Sequence, residues 1–141
     1  VPLVIACTGH ALAGGALVLL TGDIRIAAQG AFKIGLNEVS IGLPVPVLAM
    51  EFVRDRIVKR ELDRATLMAQ IYAPETALTA GYVDEVAAPA DLLGRAKAEA
   101  ARLGALPATA FRATKQRLRG RTIEYIRATM ATDMATLLAP Q

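Results

Sequence analysis

Gly35-Leu36-Asn37-Glu38 sets one carboxylate in an apolar stretch, with Leu36, Val39, Ile41 and Leu43 around it. A carboxylate drawn partly out of water is a stronger base than a solvated one, because burial disfavours the charged form. Two plainer placements stay open: a turn acid facing solvent, or one paired with Arg25 or Lys33. Upstream lies Gly9-His10-Ala11-Leu12-Ala13-Gly14-Gly15-Ala16-Leu17, with two glycines at the head of a helical pattern. Glycine there costs about 1 kcal/mol of helix propensity relative to Ala. Close packing on a neighbouring strand could offset that cost, and so could free N–H groups turned toward a ligand. A base together with amides able to hold a developing oxyanion is what enolate chemistry requires.

The elements that must position these groups read as α/β. Leu3-Val4-Ile5-Ala6-Cys7 is a continuous apolar run, as in a strand covered on both faces. Ala11 to Leu20 reads as a helix apolar all round. Asp23-Ile24-Arg25-Ile26-Ala27 alternates like a half-exposed strand, and Ala31-Phe32-Lys33-Ile34 follows the Gln29-Gly30 turn as another. Pro44 and Pro46 break the chain before a helix from Val47 to about Arg56, with a second helix over about Lys59 to Gln70. Pro74 opens a short helix that Gly81 closes, and Tyr82 to Val86 reads as a strand. Three helices complete the chain, ending at Gly104, near Leu118 before Gly120, and near Leu138.

Composition narrows the function classes. With 54% hydrophobic and 21% charged residues over 141 positions, the chain can bury a core and is not a disordered segment. A net charge of +3 is too small to imply nucleic acid by itself. One His and one Cys make a metal centre an unsuitable reading, and the lone Cys7 fits a reducing compartment such as the cytoplasm. Val1 to Gly22 carries no Asp, Glu, Lys or Arg, but Thr8, His10 and the glycines favour buried core over a membrane span. The chain opens on Val within a strand pattern, so we expect an N-terminal portion to precede it.

The glycine run resembles the crotonase superfamily, the enoyl-CoA hydratase/isomerase family. So do Asp23 to Ala27, Ile34 to Glu38, Ala77-Leu78-Thr79-Ala80-Gly81-Tyr82-Val83-Asp84-Glu85-Val86 and Phe111-Arg112-Ala113-Thr114-Lys115. These pieces follow in order up to about Arg119. The resemblance implies a partial crotonase-like (ClpP/crotonase) fold: a repeated ββα-type spiral core over residues 1–90 and helices over 91–141 that serve oligomerisation. It also implies an acyl-CoA thioester substrate, with coenzyme A arriving as part of the substrate and no separate cofactor, and a homotrimer or hexamer.

By position, the resemblance implies that the Gly14 amide is one oxyanion donor, the other belonging to a segment before Val1. Ala13 and Leu17 would line the substrate site, and Lys115 would meet CoA phosphates. Family hydratases use two glutamates. Glu38 matches the second, Leu17 stands at the first, and Gly42-Leu43-Pro44-Val45-Pro46 replaces the usual glycine-rich loop. Hydration needs one group for water and one for the Cα proton, whereas a double-bond shift needs a single carboxylate. The pattern is closest to the Δ3,Δ2-enoyl-CoA isomerase branch. A hydratase and a non-catalytic acyl-CoA binder are the competing readings.

Other residues carry less. His10 reads as structural or pocket-lining, and Asp84 and Glu85 as solvated or salt-bridged. Arg112, Lys115, Arg117, Arg119 and Arg121 form a basic face, and the scarcity of stacking aromatics beside Phe111 and Tyr125 ranks RNA last as its partner. Ile123, Ile126, Met130, Met134 and Leu137 share one helical stripe, read as an interface.

Overall fold

The computed structural model describes residues 1–138. Its core is built from two small parallel sheets. Strands β1 (Val4–Cys7), β3 (Ile24–Ala28) and β5 (Glu85–Ala87) form one sheet with β3 in the centre; β2 (Ala11–Leu12) and β4 (Ile34–Gly35) form the other. In the first, Val4 pairs with Ile24 and Ile26 with Glu85; in the second, Ala11 pairs with Ile34 and Leu12 with Gly35. Helix α1 (Gly14–Leu20) follows β1 and β2, and α2 (Val47–Arg56) follows β3 and β4. The order strand, strand, helix therefore occurs twice, each strand pairing in parallel with its counterpart in the next turn of a spiral.

Parallel pairing demands that strands be covered on both faces. Leu19 and Leu20 of α1, Ala49 and Val53 of α2, and Ile34, Leu36, Tyr82 and Val83 make the main core. Ile26, Ala28, Ala87 and Leu92 make a second cluster under α5 (Leu92–Gly104). Between them run α3 (Leu62–Ala65) and α4 (Pro74–Ala80), and α6 (Ala108–Leu138) ends the described chain. No described helix is long and apolar enough to cross a membrane.

Several boundaries differ from the sequence reading. Ala11 and Leu12 are strand rather than helix, because the Ala11 and Ala13 N–H groups donate to Lys33 and Gly35 carbonyls at 2.9 and 3.1 Å. Nor is α1 buried all round: Val18 is 63% exposed. Strand β3 is central rather than half-exposed, and its polar member Arg25 is buried in a bidentate pair with Asp84 (Nε–Oδ2 2.9 Å, Nη2–Oδ1 2.6 Å). The strand expected over Ala31 to Ile34 shrinks to Ile34–Gly35. The helix expected over Lys59 to Gln70 breaks into a 3-10 turn and the single turn α3; beyond it Ala69 takes φ +48°. Gly120 does not separate two helices, since α6 runs through it with open space where a Cβ would stand.

Candidate active site

Pairing of β2 with β4 brings the two motifs together. The Ala13 N–H donates to the Gly35 carbonyl at 3.1 Å; Gly14 is the next residue on one side, and Glu38 lies three residues on along the other. The geometry at Gly35 demands glycine. Its φ is +150°, and a Cβ there would stand 2.9 Å from the Gln70 carbonyl oxygen and 3.2 Å from Ile71 Cδ1. Ile34 exchanges hydrogen bonds with Tyr72 on that same side, 2.9 Å each way. The backbone leading to Glu38 is thus gripped by two neighbouring segments.

Glu38 is buried, 7% exposed, at the start of the 3-10 turn Val39–Ile41, where its carbonyl accepts from Ile41 and Leu43 N–H groups at 3.0 Å each. Its Oε2 is shielded from solvent with no hydrogen-bond partner, and Asn37 Oδ1 beside it is in the same state. The solvent-facing placement therefore does not occur. Arg25, one of its possible partners, is committed to Asp84 and to the Gly81 carbonyl.

At the head of α1, Ala13 adopts φ +47°, ψ −118°, a conformation that costs a non-glycine residue on the order of 1–3 kcal/mol. No side chain caps this helix. The first intrahelical acceptor serves Leu17, whose N–H donates to the Ala13 carbonyl at 3.1 Å, so the Gly14, Gly15 and Ala16 amides precede any partner in the helix. Gly14 is exposed, with nothing within 4 Å of where a Cβ would stand, and the nearest atom to a Cβ at Gly15 is Ala11 Cβ at 4.0 Å. Close packing on a strand thus does not account for the glycine pair, and the free amides are what distinguish the position. Leu17 is half-buried against the main core.

Lys115 stands apart from this pair of motifs. On α6 its Nζ contacts Asp23 Oδ2 at 2.5 Å and the Val1 carbonyl at 3.4 Å, and Arg119 adds a 3.2 Å contact to Asp23 Oδ1. Asp23 Oδ2 also accepts from the Leu3 N–H at 2.8 Å. Lys115 borders a hollow of about 230 Å³ with Ile24, Leu103, Phe111 and Leu118; another of about 340 Å³ lies between Glu61, Arg64, Tyr72 and Thr76, and neither includes Gly14 or Glu38. The basic face of α6 is therefore partly neutralised, while Arg112, Arg117 and Arg121 remain exposed.

His10 is structural: its Nδ1 accepts from the Lys33 N–H at 3.0 Å and its ring meets Phe32 edge-on at 5.7 Å. Asp84 pairs with Arg25 and Glu85 with Arg95, the salt-bridged one of the two placements the sequence leaves open. Tyr82 is the residue that sequence reasoning misses, because there it looks like one more strand residue. It is fully buried in the same core cluster as Leu36, and its hydroxyl has no partner.

A spiral of ββα units with parallel pairing and trailing helices is the crotonase fold, and the chain belongs to the enoyl-CoA hydratase/isomerase family, which it matches over residues 1–138. Human mitochondrial enoyl-CoA delta isomerase 1 is 35% identical over 121 residues, 85% of this chain and 40% of that protein. The crystal structure of an enoyl-CoA hydratase/isomerase family protein from Pseudomonas syringae superposes with a TM-score of 0.93 at 38% identity, covering 97% of this chain and 60% of that one. An enoyl-CoA hydratase structure from Mycobacterium ulcerans gives 0.89 at 41% identity, covering 95% and 58%. The chain thus spans roughly half the length of such relatives.

Proposed function

We propose that this chain carries the acid/base half of an enoyl-CoA isomerase site, with Glu38 as the catalytic group and the Gly14 amide as an oxyanion donor. The observation that carries this reading is the buried Glu38 carboxylate with a free oxygen, three residues beyond the strand that holds the head of α1. Leu17 supports it, because the position that would supply a second acid holds an alkyl side chain.

The chemistry follows from one carboxylate. Glu38 takes a proton from C2 of a 3-enoyl thioester, the C–H electron pair moves into a C1–C2 double bond, and the carbonyl pair shifts onto oxygen. The Gly14 N–H, at the positive end of α1, faces that charge. The pair on oxygen then re-forms the carbonyl, the double bond moves to C2–C3, and C4 takes the proton back from Glu38. No atom is gained or lost and the carboxylate is regenerated. Each donor to such an oxyanion is worth about 3 kcal/mol of barrier. Ala13 and Leu17 line the acyl side in this reading, and Lys115 reaches CoA phosphate only by exchanging its Asp23 contact.

A hydratase is the second reading, favoured by the name of the Mycobacterium ulcerans relative. A non-catalytic acyl-CoA binder is the third, and Leu17 is compatible with it. One assay separates them: the intact protein with a 3-enoyl-CoA and, separately, a 2-enoyl-CoA, following absorbance of the conjugated thioester. Isomerisation without hydration, lost by at least about a hundredfold in Glu38→Gln, is the expected result. An unchanged rate in Glu38→Gln refutes the assignment.

The same reading takes residues 1–90 as the core portion of one domain and 91–141, of which 139–141 lie outside the described residues, as its helical oligomerisation region. Along α6, Ile123, Met130 and Met134 are 43–47% exposed while Ile126 is buried. An apolar stripe left so open is suited to a trimer or hexamer, and a monomer by light scattering would refute that part. Cytoplasmic placement rests on the lone Cys7.

A further inference from the structure

Helix α2 begins without a cap of its own. The residue ahead of it is Pro46, extended at φ −60° and ψ 151°, and it makes no side-chain cap. Proline brings no polar side-chain atom, so the first amides of α2 need an acceptor from elsewhere. That acceptor comes 86 residues later: the Val47 N–H donates to Asp133 Oδ2 of α6 at 2.8 Å. A capping side chain ordinarily stands at the N-cap position itself. Here a carboxylate on another helix takes its place, at the positive end of the α2 dipole.

The other end of α2 is tied to α6 as well. Thr122 Oγ1 lies 3.5 Å from Asp55 Oδ1, one residue before α2 ends at Arg56. The two helices therefore run antiparallel, and Ile126, between the two ties, is buried.

A short, stiff length of chain connects the Asp133 bond to Glu38. The Glu38 carbonyl accepts from the Leu43 N–H at 3.0 Å. Only Pro44, Val45 and Pro46 separate Leu43 from Val47, and the rings of the two prolines fix their φ. Val45 packs against the main core, and the Pro46 carbonyl accepts from the Met50 N–H at 2.9 Å. A displacement at Val47 thus meets few soft torsions before it reaches the turn that starts at Glu38.

We infer that Asp133 is a positioning residue for Glu38: by capping α2 from α6, it fixes the far end of the segment that begins at that carboxylate. This rests on the reading of Glu38 as the acid/base.

The test compares Asp133→Ala, Asp133→Asn and Thr122→Val in the intact protein. In Asp133→Ala, isomerisation of a 3-enoyl-CoA should fall several-fold in kcat with KM nearly unchanged, because a displaced base slows the chemical step more than it weakens binding. Asp133→Asn keeps a side-chain oxygen, and Asn caps about as well as Asp, so most of the rate should return. Thr122→Val removes the other tie and should leave kcat at the wild-type level even where the melting temperature falls. Amide exchange reads the same connection without catalysis. The Leu43 and Val47 amides should exchange several-fold faster in Asp133→Ala, beyond any change in the most protected core amides, and recover in Asp133→Asn. A kcat that merely follows melting temperature across the three variants, or unchanged exchange at Leu43 in Asp133→Ala, would overturn the inference. Full activity in Glu38→Gln would instead refute the catalytic reading of Glu38. Exchange at Leu43 would then decide by itself whether Asp133 holds the segment.

Discussion

Gly35→Ala is the sharpest test of how Glu38 is held. Two costs add. At φ +150° an L-residue sits in a sparsely populated region, for about 1–3 kcal/mol. The new Cβ would also stand 2.9 Å from the Gln70 carbonyl oxygen, a backbone atom that cannot swing aside, and such overpacking adds about 1–3 kcal/mol. The sum is about 4 kcal/mol, a large fraction of the 5–15 kcal/mol or so that holds a domain of this kind together. Gly42→Ala, on the other side of Glu38, is the matched control: φ is +80° but nothing lies within 4 Å of its Cβ, so only the conformational cost of about 1–2 kcal/mol applies. Urea unfolding of both variants, at a common m-value, gives the difference directly. If Gly35→Ala lies within about 0.5 kcal/mol of Gly42→Ala, the contact with Gln70 is not a constraint and the reasoning fails.

Three further outcomes follow from the same structure. Ala13→Gly should raise stability by about 1 kcal/mol, by removing strain at φ +47°, while lowering kcat of the proposed isomerisation because the head of α1 loses its fixed direction; thermal melting and single-turnover kinetics measure the two. Burial pushes the Asp23 carboxyl up, but the Lys115 hydrogen bond, the Leu3 amide and the charges of Lys115 and Arg119 outweigh it and hold the group below its ordinary value of 3.8. A depressed folded value means that the stabilisation is present above the unfolded value and is lost as pH falls through the folded one. The stability gap between wild type and Asp23→Asn should therefore be open at neutral pH and close in acid, in urea titrations at several pH values; a gap equal at both would refute the ion cluster. Gly120→Ala should stabilise by about 1 kcal/mol, as α6 is continuous there and a Cβ meets nothing within 4 Å; a loss of stability would mean that the helix breaks at Gly120 after all.

Legibility in the sequence followed the range of the forces involved. Helix α2 begins at Val47 after Pro46 and α4 runs from Pro74 to a left-handed Gly81, as local stereochemistry predicts. Strand β2 was hidden, because Ala11 and Leu12 are good helix residues, and only the carbonyls of Lys33 and Gly35, more than twenty positions on, make them strand. Arg25 misled for the same reason: a cation inside a strand reads as an exposed face until Asp84, 59 residues later, supplies a carboxylate. Gly120 misled in the opposite direction, since a glycine that packs against nothing weakens a helix without ending it. At the candidate site, Glu38 and Gly14 were visible as residue types in a pattern. Burial of Glu38 needs the whole fold, and Tyr82 carries no local signal at all, being conspicuous only once its hydroxyl is seen to be enclosed.

The two halves of the candidate site are held by backbone rather than by side chains, and this bears on which changes the chain can tolerate. Ala13 N–H to Gly35 carbonyl is a main-chain bond, as are both bonds between Ile34 and Tyr72. Substituting exposed side chains around them, such as Val39 or Ser40, leaves the register of β2 and β4 intact. A change at Gly35 or Gly81 instead forces backbone against backbone: a Cβ at Gly81 would stand 2.5 Å from the Arg56 carbonyl oxygen. Gly81 also fixes where Tyr82 enters the core, and its own carbonyl accepts from Arg25 at 2.7 Å. Strain placed there should therefore reach the main core through Tyr82 and the Arg25–Asp84 pair through the Gly81 carbonyl.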